Sequence, residues 1–345
     1  MIKDQRILGK IHQCLRVLYG EDVHPEVLNR LNLELQWYQN RLGLDYADKV
    51  ATFLEERKKQ GGYVVPRLWA NSSFVLYLLG ASTVNPLPRH HHCPHGHVFA
   101  WGENDKAHCP QCGEPLIEDG FDLDFIFFAD AMDALPLNYL GEEEKHEDLH
   151  LQFFPGPNAK ELLQEATRLG LTQQEIETDV PADTMIKILA HMNHREEGIQ
   201  DGLNILPTLS HPLLLELVDG FYPHSIDFLA ELASACHGRG VIEGGHLRFY
   251  AGKLPLDHAY SRESLFRLLQ EKGFDSASAL STIKELYRNY DGRLSEESEQ
   301  KLRSLGIEES FIDALKQIHY LYFKGDVIAE LRLELRLAQK LLFLA

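Results

Sequence analysis

The sequence predicts a mainly α-helical protein that carries one small zinc knuckle and few short strands. Over most of the chain apolar residues recur at steps of three or four, as in Ile7, Ile11 and Leu15, which is the spacing of an amphipathic helix. The segment 89–113 differs, because it is rich in His and Cys and poor in aliphatic residues. Burial alone cannot hold such a segment, so we expect a metal ion to do so.

The same periodicity, interrupted by Gly and Pro, divides the chain into predicted elements. Asn71, Ser72 and Ser73 supply N-cap side chains for a short apolar helix. Short strands are predicted at residues 63–65 and 246–250. Helices are predicted within residues 1–60 and over 74–79, 158–169, 172–178, 182–191, 212–218, 225–235, 261–272, 277–287, 295–305 and 310–345.

Composition limits the classes of partner. The 345 residues carry a formal net charge of −18, and residues 141–148 form an acidic tract. Nucleic-acid affinity rests on Lys and Arg that neutralise phosphates, so extended DNA binding is disfavoured and a protein partner is favoured. The longest apolar run, residues 74–81, is too short for a bilayer. We therefore expect no membrane contact and a cytoplasmic location.

Three of the five cysteines lie within twenty residues, which favours a metal site over disulfides. Cys109 and Cys112 have the two-residue spacing with which two thiolates bind one zinc ion from a tight turn. Cys93 supplies a third thiolate, and either His95 or His97 supplies the fourth ligand. His97 is preferred because its four-residue step from Cys93 leaves room for a turn, and His108 and residues 90–92 are weaker candidates. A Cys₃His set closes the coordination sphere, which predicts structural zinc.

The order of several landmarks resembles a known family. These are Val84-Asn-Pro-Leu-Pro88, then Cys93-Pro, Cys109-Pro-Gln-Cys112-Gly and Asp119-Gly-Phe-Asp122. They are similar to the PolC-type bacterial DNA polymerase III alpha subunit, where the palm and thumb lead into a zinc motif. The second half is similar, more thinly, to the fingers region. The resemblance implies a truncated, degenerate relative with residues 1–88 as palm and thumb, 89–120 as zinc knuckle and 121–345 as fingers.

Departures from the family concern the residues of catalysis. Polymerisation needs a carboxylate pair that holds two metal ions, and the family carries it as Asp-x-Asp shortly after the zinc motif. Here the only such pattern there is Asp122-Leu-Asp124, which belongs to the tail of that motif. We therefore predict no catalytic residues, although enzymatic activity is left open. Arg67 and Lys324 are candidate phosphate contacts that the resemblance leaves in place.

The resulting hypothesis is a non-catalytic binding protein, a scaffold or modulator linked to DNA replication or repair. A second hypothesis is a metal-dependent phosphoryl-transfer enzyme, a residual polymerase or nuclease, that uses relocated carboxylates: Asp122, Asp124, Asp130 and Asp133. A third is an acidic mimic that competes with the polymerase for replication proteins.

The C-terminal residues Gln339, Leu342 and Phe343 resemble a peptide that docks on the bacterial sliding clamp. The alternative is that they form the last turn of a core helix, because a docking peptide has to protrude. Both interpretations stay open at the level of sequence.

Overall fold

The structure is a computed structural model of the chain. It describes residues 2–41, 43–60, 63, 65, 68–102, 107–133, 160–194, 203–241, 260–288 and 294–343. Fifteen α-helices and three short strands lie within these residues, which confirms the predicted mainly α class. Contacts divide the chain into two compact units, Met1–Lys160 and Glu161–Ala345. The predicted division at residues 88 and 120 stays a prediction.

Five of the described helices belong to the first unit. The predicted apolar stripe forms its core, since Ile7, Ile11 and Leu15 are all buried. Two left-handed glycines, Gly20 and Gly43, follow the first and second helices and let the chain turn. The helices are α1 Ile2–Tyr19, α2 Pro25–Arg41, α3 Leu44–Lys59, α4 Phe74–Leu78 and α5 Ile126–Asp133.

The short helix α4 begins where the sequence predicts. The Ser73 side chain accepts a hydrogen bond from the backbone N–H of Leu76 and caps the helix. Below it the buried carboxylate of Glu34 accepts bonds from the N–H groups of Phe74 and Val75 at 2.9 and 3.0 Å. Arg30 pairs with Glu34 at 2.6 Å and compensates the buried charge. This network attaches α4 to α2.

A three-stranded antiparallel sheet lies beside these helices, in the order β2-β1-β3. The strands are β1 His90–His92, β2 Phe99–Trp101 and β3 Ile117–Asp119. The register places His90 opposite both Trp101 and Asp119. The sequence analysis predicted few short strands but did not place them here, because a run of three histidines carries no strand signal.

Helices make up most of the described residues of the second unit. Its longest helix packs against three others and is buried along most of its length. The helices are α6 Lys160–Arg168, α7 Gln173–Ile176, α8 Ala182–Asn193, α9 Pro212–Phe221, α10 Ile226–His237, α11 Arg262–Glu271, α12 Ser276–Arg288, α13 Glu296–Ser304, α14 Glu309–Gln317 and α15 Lys324–Phe343.

The C-terminal stretch differs from the single helical segment that the sequence predicts. It contains α14 and α15 with an extended piece, residues 318–323, between them. In this piece the carbonyl of Tyr320 accepts a bond from Arg239 N–H at 2.9 Å, and that of Leu321 accepts one from Arg262 Nε at 2.8 Å. Tertiary hydrogen bonds replace the helical ones, so local periodicity did not reveal the break.

Within the described residues, no helix combines the length and the apolar character needed to cross a membrane. The predicted strand at 246–250 and the acidic tract at 141–148 lie outside the described residues, and the predicted strand at 63–65 lies partly outside them.

Candidate metal centre

Four predicted ligands converge beside the small sheet. Cys93, His97, Cys109 and Cys112, here called the Cys-His cluster, each present a ligand atom within 4.8 Å of all the others. Cys93 and Cys109 are buried, whereas His97 and Cys112 are more accessible. The structure thus brings together the four residues that the sequence analysis chose.

Two tight turns place these ligands. In the first, the N–H of Gly96 donates to the carbonyl of Cys93 at 2.8 Å; in the second, Gly113 donates to Cys109 at 2.9 Å. Both glycines have left-handed backbone angles, with φ of 71° and 77°, which a side chain would disfavour. The first turn carries Cys93 and leads to His97, and the second carries Cys109 and Cys112. The two turns bring these four ligand atoms together.

The distances between ligand atoms fit a tetrahedral ion. The Cys93 Sγ lies 3.5 Å from the Cys112 Sγ and 3.7 Å from the His97 Nδ1, and the Cys109 Sγ lies 4.0 Å from that nitrogen. A tetrahedron with bonds of about 2.0–2.3 Å to zinc has ligand separations of roughly 3.3–3.8 Å. A disulfide would need sulfurs about 2.05 Å apart. The cluster could therefore hold a metal ion such as zinc.

The thiols differ in how readily they ionise. Burial opposes ionisation of Cys109, but hydrogen bonds from the backbone of Cys112 and Gln111 and from neighbouring sulfurs outweigh it and lower its pKa to about 6. A backbone hydrogen bond from Glu114 favours the Cys112 thiolate, yet burial and the sulfurs of Cys93 and Cys109 raise its pKa to about 11. One thiolate forms readily and the next is opposed by its neighbour, and a bound cation would remove that opposition.

Of the two candidate histidines, His97 is the one whose ring lies in the cluster, as the sequence analysis preferred. His97 presents its Nδ1 to the cluster, whereas the backbone N–H of His95 donates to the Cys93 sulfur at 3.3 Å. His95 thus takes part through its main chain, which stabilises a thiolate without binding a metal. His108 lies at an isolated bridge with Pro115.

The turn that carries His97 packs directly on the end of α1. A Cβ atom added at Gly20 would lie 2.0 Å from the carbonyl oxygen of Gly96, so only glycine fits there. Gly20 also has a left-handed φ of 81°. The Cys-His cluster is therefore fixed against the helical core of its own unit.

The structure describes three of the four carboxylates of the second hypothesis. Among the described residues, none of Asp122, Asp124 and Asp130 belongs to a group of three potential metal ligands within 4.8 Å. Asp124 caps the start of α5, where its Oδ1 accepts a bond from the Ile126 N–H at 2.8 Å. The side chain of Asp133 lies outside the described residues.

The two candidate phosphate contacts fall in different situations. Arg67 lies outside the described residues. Lys324 begins α15 with its side chain only 3% exposed, and its Nζ lies 2.6 Å from Asp227 Oδ1 and 3.1 Å from Glu231 Oε1. A phosphate contact by Lys324 would require these ion pairs to be broken.

The C-terminal candidate residues form the last turns of α15. Gln339 accepts a hydrogen bond from Arg336 Nη1 at 3.0 Å, and Leu342 is half-buried. Phe343 is 50% exposed. The alternative interpretation predicted that these residues form the last turn of a core helix, and they do lie in a helix. Docking on a clamp would require the last turns of α15 to unwind.

Comparison with known proteins shows that part of the chain is similar to a polymerase. The chain is 34% identical over 142 residues to the DNA polymerase III PolC-type of Thermotoga petrophila. The aligned region covers 37% of this chain and 10% of that protein. The Bacillus subtilis protein of the same name is 33% identical over 154 residues, covering 40% and 11%. The predicted resemblance is confirmed. It concerns part of the chain.

A third relative, the PolC-type polymerase of Caldanaerobacter subterraneus, is 33% identical over 149 residues. The chain spans about a tenth of the length of these curated relatives. No family model matches it.

Proposed function

We propose that this PolC-like chain takes part in DNA replication as a binding protein that does not polymerise nucleotides. The similarity to PolC-type polymerases supports the connection with replication. The observation that carries the non-catalytic part is the position of Asp124. Its carboxylate is used to cap α5, in the only Asp-x-Asp pattern that follows the Cys-His cluster.

Primer extension tests this proposal. Full-length protein with primed template, nucleotides and Mg²⁺ or Mn²⁺ should give no extension, because two-metal catalysis needs a pair of neighbouring carboxylates. Extension that is lost in both Asp124→Asn and Asp124→Ala would overturn the proposal. Asparagine keeps an oxygen that can cap the helix, so a loss in Asp124→Ala alone would report on folding rather than on metal binding.

The zinc knuckle has a structural role in this proposal. Four protein ligands leave no coordination position for a substrate or a reactive water, so a bound zinc ion would supply rigidity rather than chemistry. Cys93, His97, Cys109 and Cys112 are the residues that would hold it. Metal analysis of the purified protein should give zinc that Cys109→Ser abolishes.

The partner in this proposal is a protein, in keeping with the net charge of −18. Binding to primed and single-stranded DNA should then be weak, and the slope of log K against log salt should lie near zero, because each phosphate contact contributes about −0.7 to −0.9 to that slope. A steep negative slope would contradict the weak DNA binding that this proposal expects. An Arg67→Ala variant that flattens such a slope would assign the contact to Arg67.

The acidic charge also favours the third hypothesis, a mimic that competes with the polymerase for replication proteins or the sliding clamp. Competition is measured directly by adding the protein to a reconstituted polymerase assay. Inhibition that primed DNA in excess does not relieve, but added clamp does, would favour the mimic. A Phe343→Ala variant that inhibits as well as the wild type would remove the C-terminal turn from its mechanism. The cytoplasmic location stays a prediction.

A further inference from the structure

A second group of ligands lies on one face of the small sheet. Side chains alternate between the two faces of a strand, so His90 and His92 of β1 share a face, and His91 points to the other. The register of β3 sets Asp119 directly opposite His90. These three residues, here called the histidine cluster, therefore meet because of backbone pairing.

Their ligand atoms are close enough for one ion. One atom from each of His90, His92 and Asp119 lies within 4.8 Å of the other two. The two imidazoles are 0% and 5% exposed. Buried imidazoles that face a carboxylate at this spacing are a common ligand set for Zn²⁺ and related divalent ions.

Hydrogen bonds prepare two of the three ligands. The His90 Nδ1 lies 2.7 Å from the carbonyl oxygen of Pro88, which fixes the proton on that nitrogen and leaves the lone pair on Nε2. The Tyr19 hydroxyl lies 3.4 Å from this Nε2, a long contact that a metal ion would replace.

Asp119 is held by three hydrogen bonds. Tyr77 and Asn85 donate to its Oδ2 at 2.9 and 2.7 Å, and the N–H of Gly120 donates to its Oδ1 at 2.8 Å. A carboxylate has about four lone pairs, so one remains for a metal ion, and such outer contacts orient ligands in known sites.

The third ligand has a nitrogen that the protein does not use. The Nδ1 of His92 is buried and makes no hydrogen bond. A buried ring nitrogen without a hydrogen-bond partner is rare in folded proteins.

We propose that His90, His92 and Asp119 bind a divalent metal ion of the zinc type, in a site separate from the Cys-His cluster. Three protein ligands leave a fourth position open for water or an exogenous group, unlike the closed Cys₃His set. The chain would then bind two ions, one through thiolates and one through imidazoles and a carboxylate.

Cobalt titration of the full-length, metal-free protein tests this site. Co²⁺ on thiolates gives an intense charge-transfer absorption in the near ultraviolet, and Co²⁺ on nitrogen and oxygen alone does not. We expect two equivalents of Co²⁺ to bind, and only one to carry the thiolate band. Binding of a single equivalent to the wild-type protein would overturn the proposal.

Matched variants on the same strands assign the second ion. Asp119→Asn and His92→Ala should lose it and keep the thiolate band, whereas Glu118→Gln and His91→Ala, on the opposite face, should bind two equivalents. Asp119→Asn is the principal variant, because a carboxamide has the shape of the carboxylate that it replaces and because Asp119 lies far along the chain from Cys93. A second equivalent that persists in both Asp119→Asn and His92→Ala would also overturn the proposal.

The two sites can fail independently. A Cys109→Ser, Cys112→Ser double variant should lose the thiolate band and retain one equivalent of Co²⁺ at the histidine cluster. Loss of both equivalents in a variant whose far-ultraviolet circular dichroism matches that of the metal-free wild-type protein would contradict a separate site.

Discussion

Two polar centres in this chain differ in the groups that stabilise their charged side chains. In the first unit the Cys-His cluster gathers three thiols whose partners are backbone N–H groups, His97 and one another. In the second unit Lys324 places its own ammonium between Asp227 and Glu231, which we call the lysine centre.

The difference concerns whether the chain itself supplies the opposite charge. Burial lowers the pKa of the Lys324 ammonium, but the carboxylates of Glu231 and Asp227 outweigh it and raise that pKa above its ordinary value. The chain itself thus supplies both the cation and the anions of the lysine centre. At the Cys-His cluster an ionised thiol opposes the ionisation of its neighbour, and a bound cation would remove that opposition.

The largest expected effect comes from breaking the Cys-His cluster. Cys109→Ser should abolish zinc binding and lower the melting temperature of the first unit by at least ~10 °C, since an ion bound to folded protein alone contributes several kcal/mol. Metal analysis and calorimetry measure both. Cys14→Ser, the same substitution outside the cluster but in the same unit, should keep its zinc. Equal effects of the two variants would contradict a metal-dependent fold.

Lys324→Met tests the lysine centre in the second unit. Removing the ammonium leaves Asp227 and Glu231 uncompensated, and we expect a loss of about 3 kcal/mol, at the low end for buried pairs because Asp227 is partly exposed. Urea unfolding measures it. Lys316→Met, which removes an accessible partner of Glu299, should cost less than about 1 kcal/mol. If Lys324→Met lost DNA affinity without losing stability, Lys324 would be a phosphate ligand instead.

A glycine pair tests how firmly the zinc knuckle is fixed to its unit. Gly20→Ala should destabilise by about 1–3 kcal/mol more than Gly43→Ala, because the new methyl group meets the Gly96 backbone and overpacks the contact. Both glycines have similar positive φ, 81° and 74°, so backbone strain largely cancels in the comparison. Chemical denaturation of the zinc-loaded variants measures the difference. Equal losses would show that the turn around Gly96 is free to move.

The smallest effect, when it is counted per pH unit, is a pH dependence of the second unit. Burial raises the pKa of Glu334 from an ordinary 4.5 to about 8, despite hydrogen bonds from Leu209 and Thr208. The folded state therefore holds a proton that the unfolded state releases. The stability is fully present below pH 4.5 and is lost as pH rises through 8, by up to about 1.4 kcal/mol per pH unit.

Unfolding free energies between pH 5 and 9 check this dependence, and Glu334→Gln should flatten it. Glu216→Gln, at an exposed position on α9, should leave the slope unchanged. An unchanged slope in Glu334→Gln would assign the titration to other groups, of which Glu263 is the first, because burial raises its pKa to about 7.

The sequence by itself determined the helical class and the four residues that meet in the Cys-His cluster. Helical periodicity is local, and a turn such as Cys109-Pro-Gln-Cys112 sets its two thiols together through short-range geometry alone. The predicted N-cap Ser73 is confirmed for the same reason. The resemblance to PolC-type polymerases, carried by short motifs, is confirmed over part of the chain.

Only the tertiary structure decided the histidine cluster and the state of Lys324. His90 and Asp119 are far apart in sequence, and a strand register joins them that three consecutive histidines do not predict. Lys324 meets Asp227 and Glu231 only because α15 packs on α10. Long-range pairing depends on the whole fold, whereas the periodic signals on which sequence reasoning rests reach only a few residues.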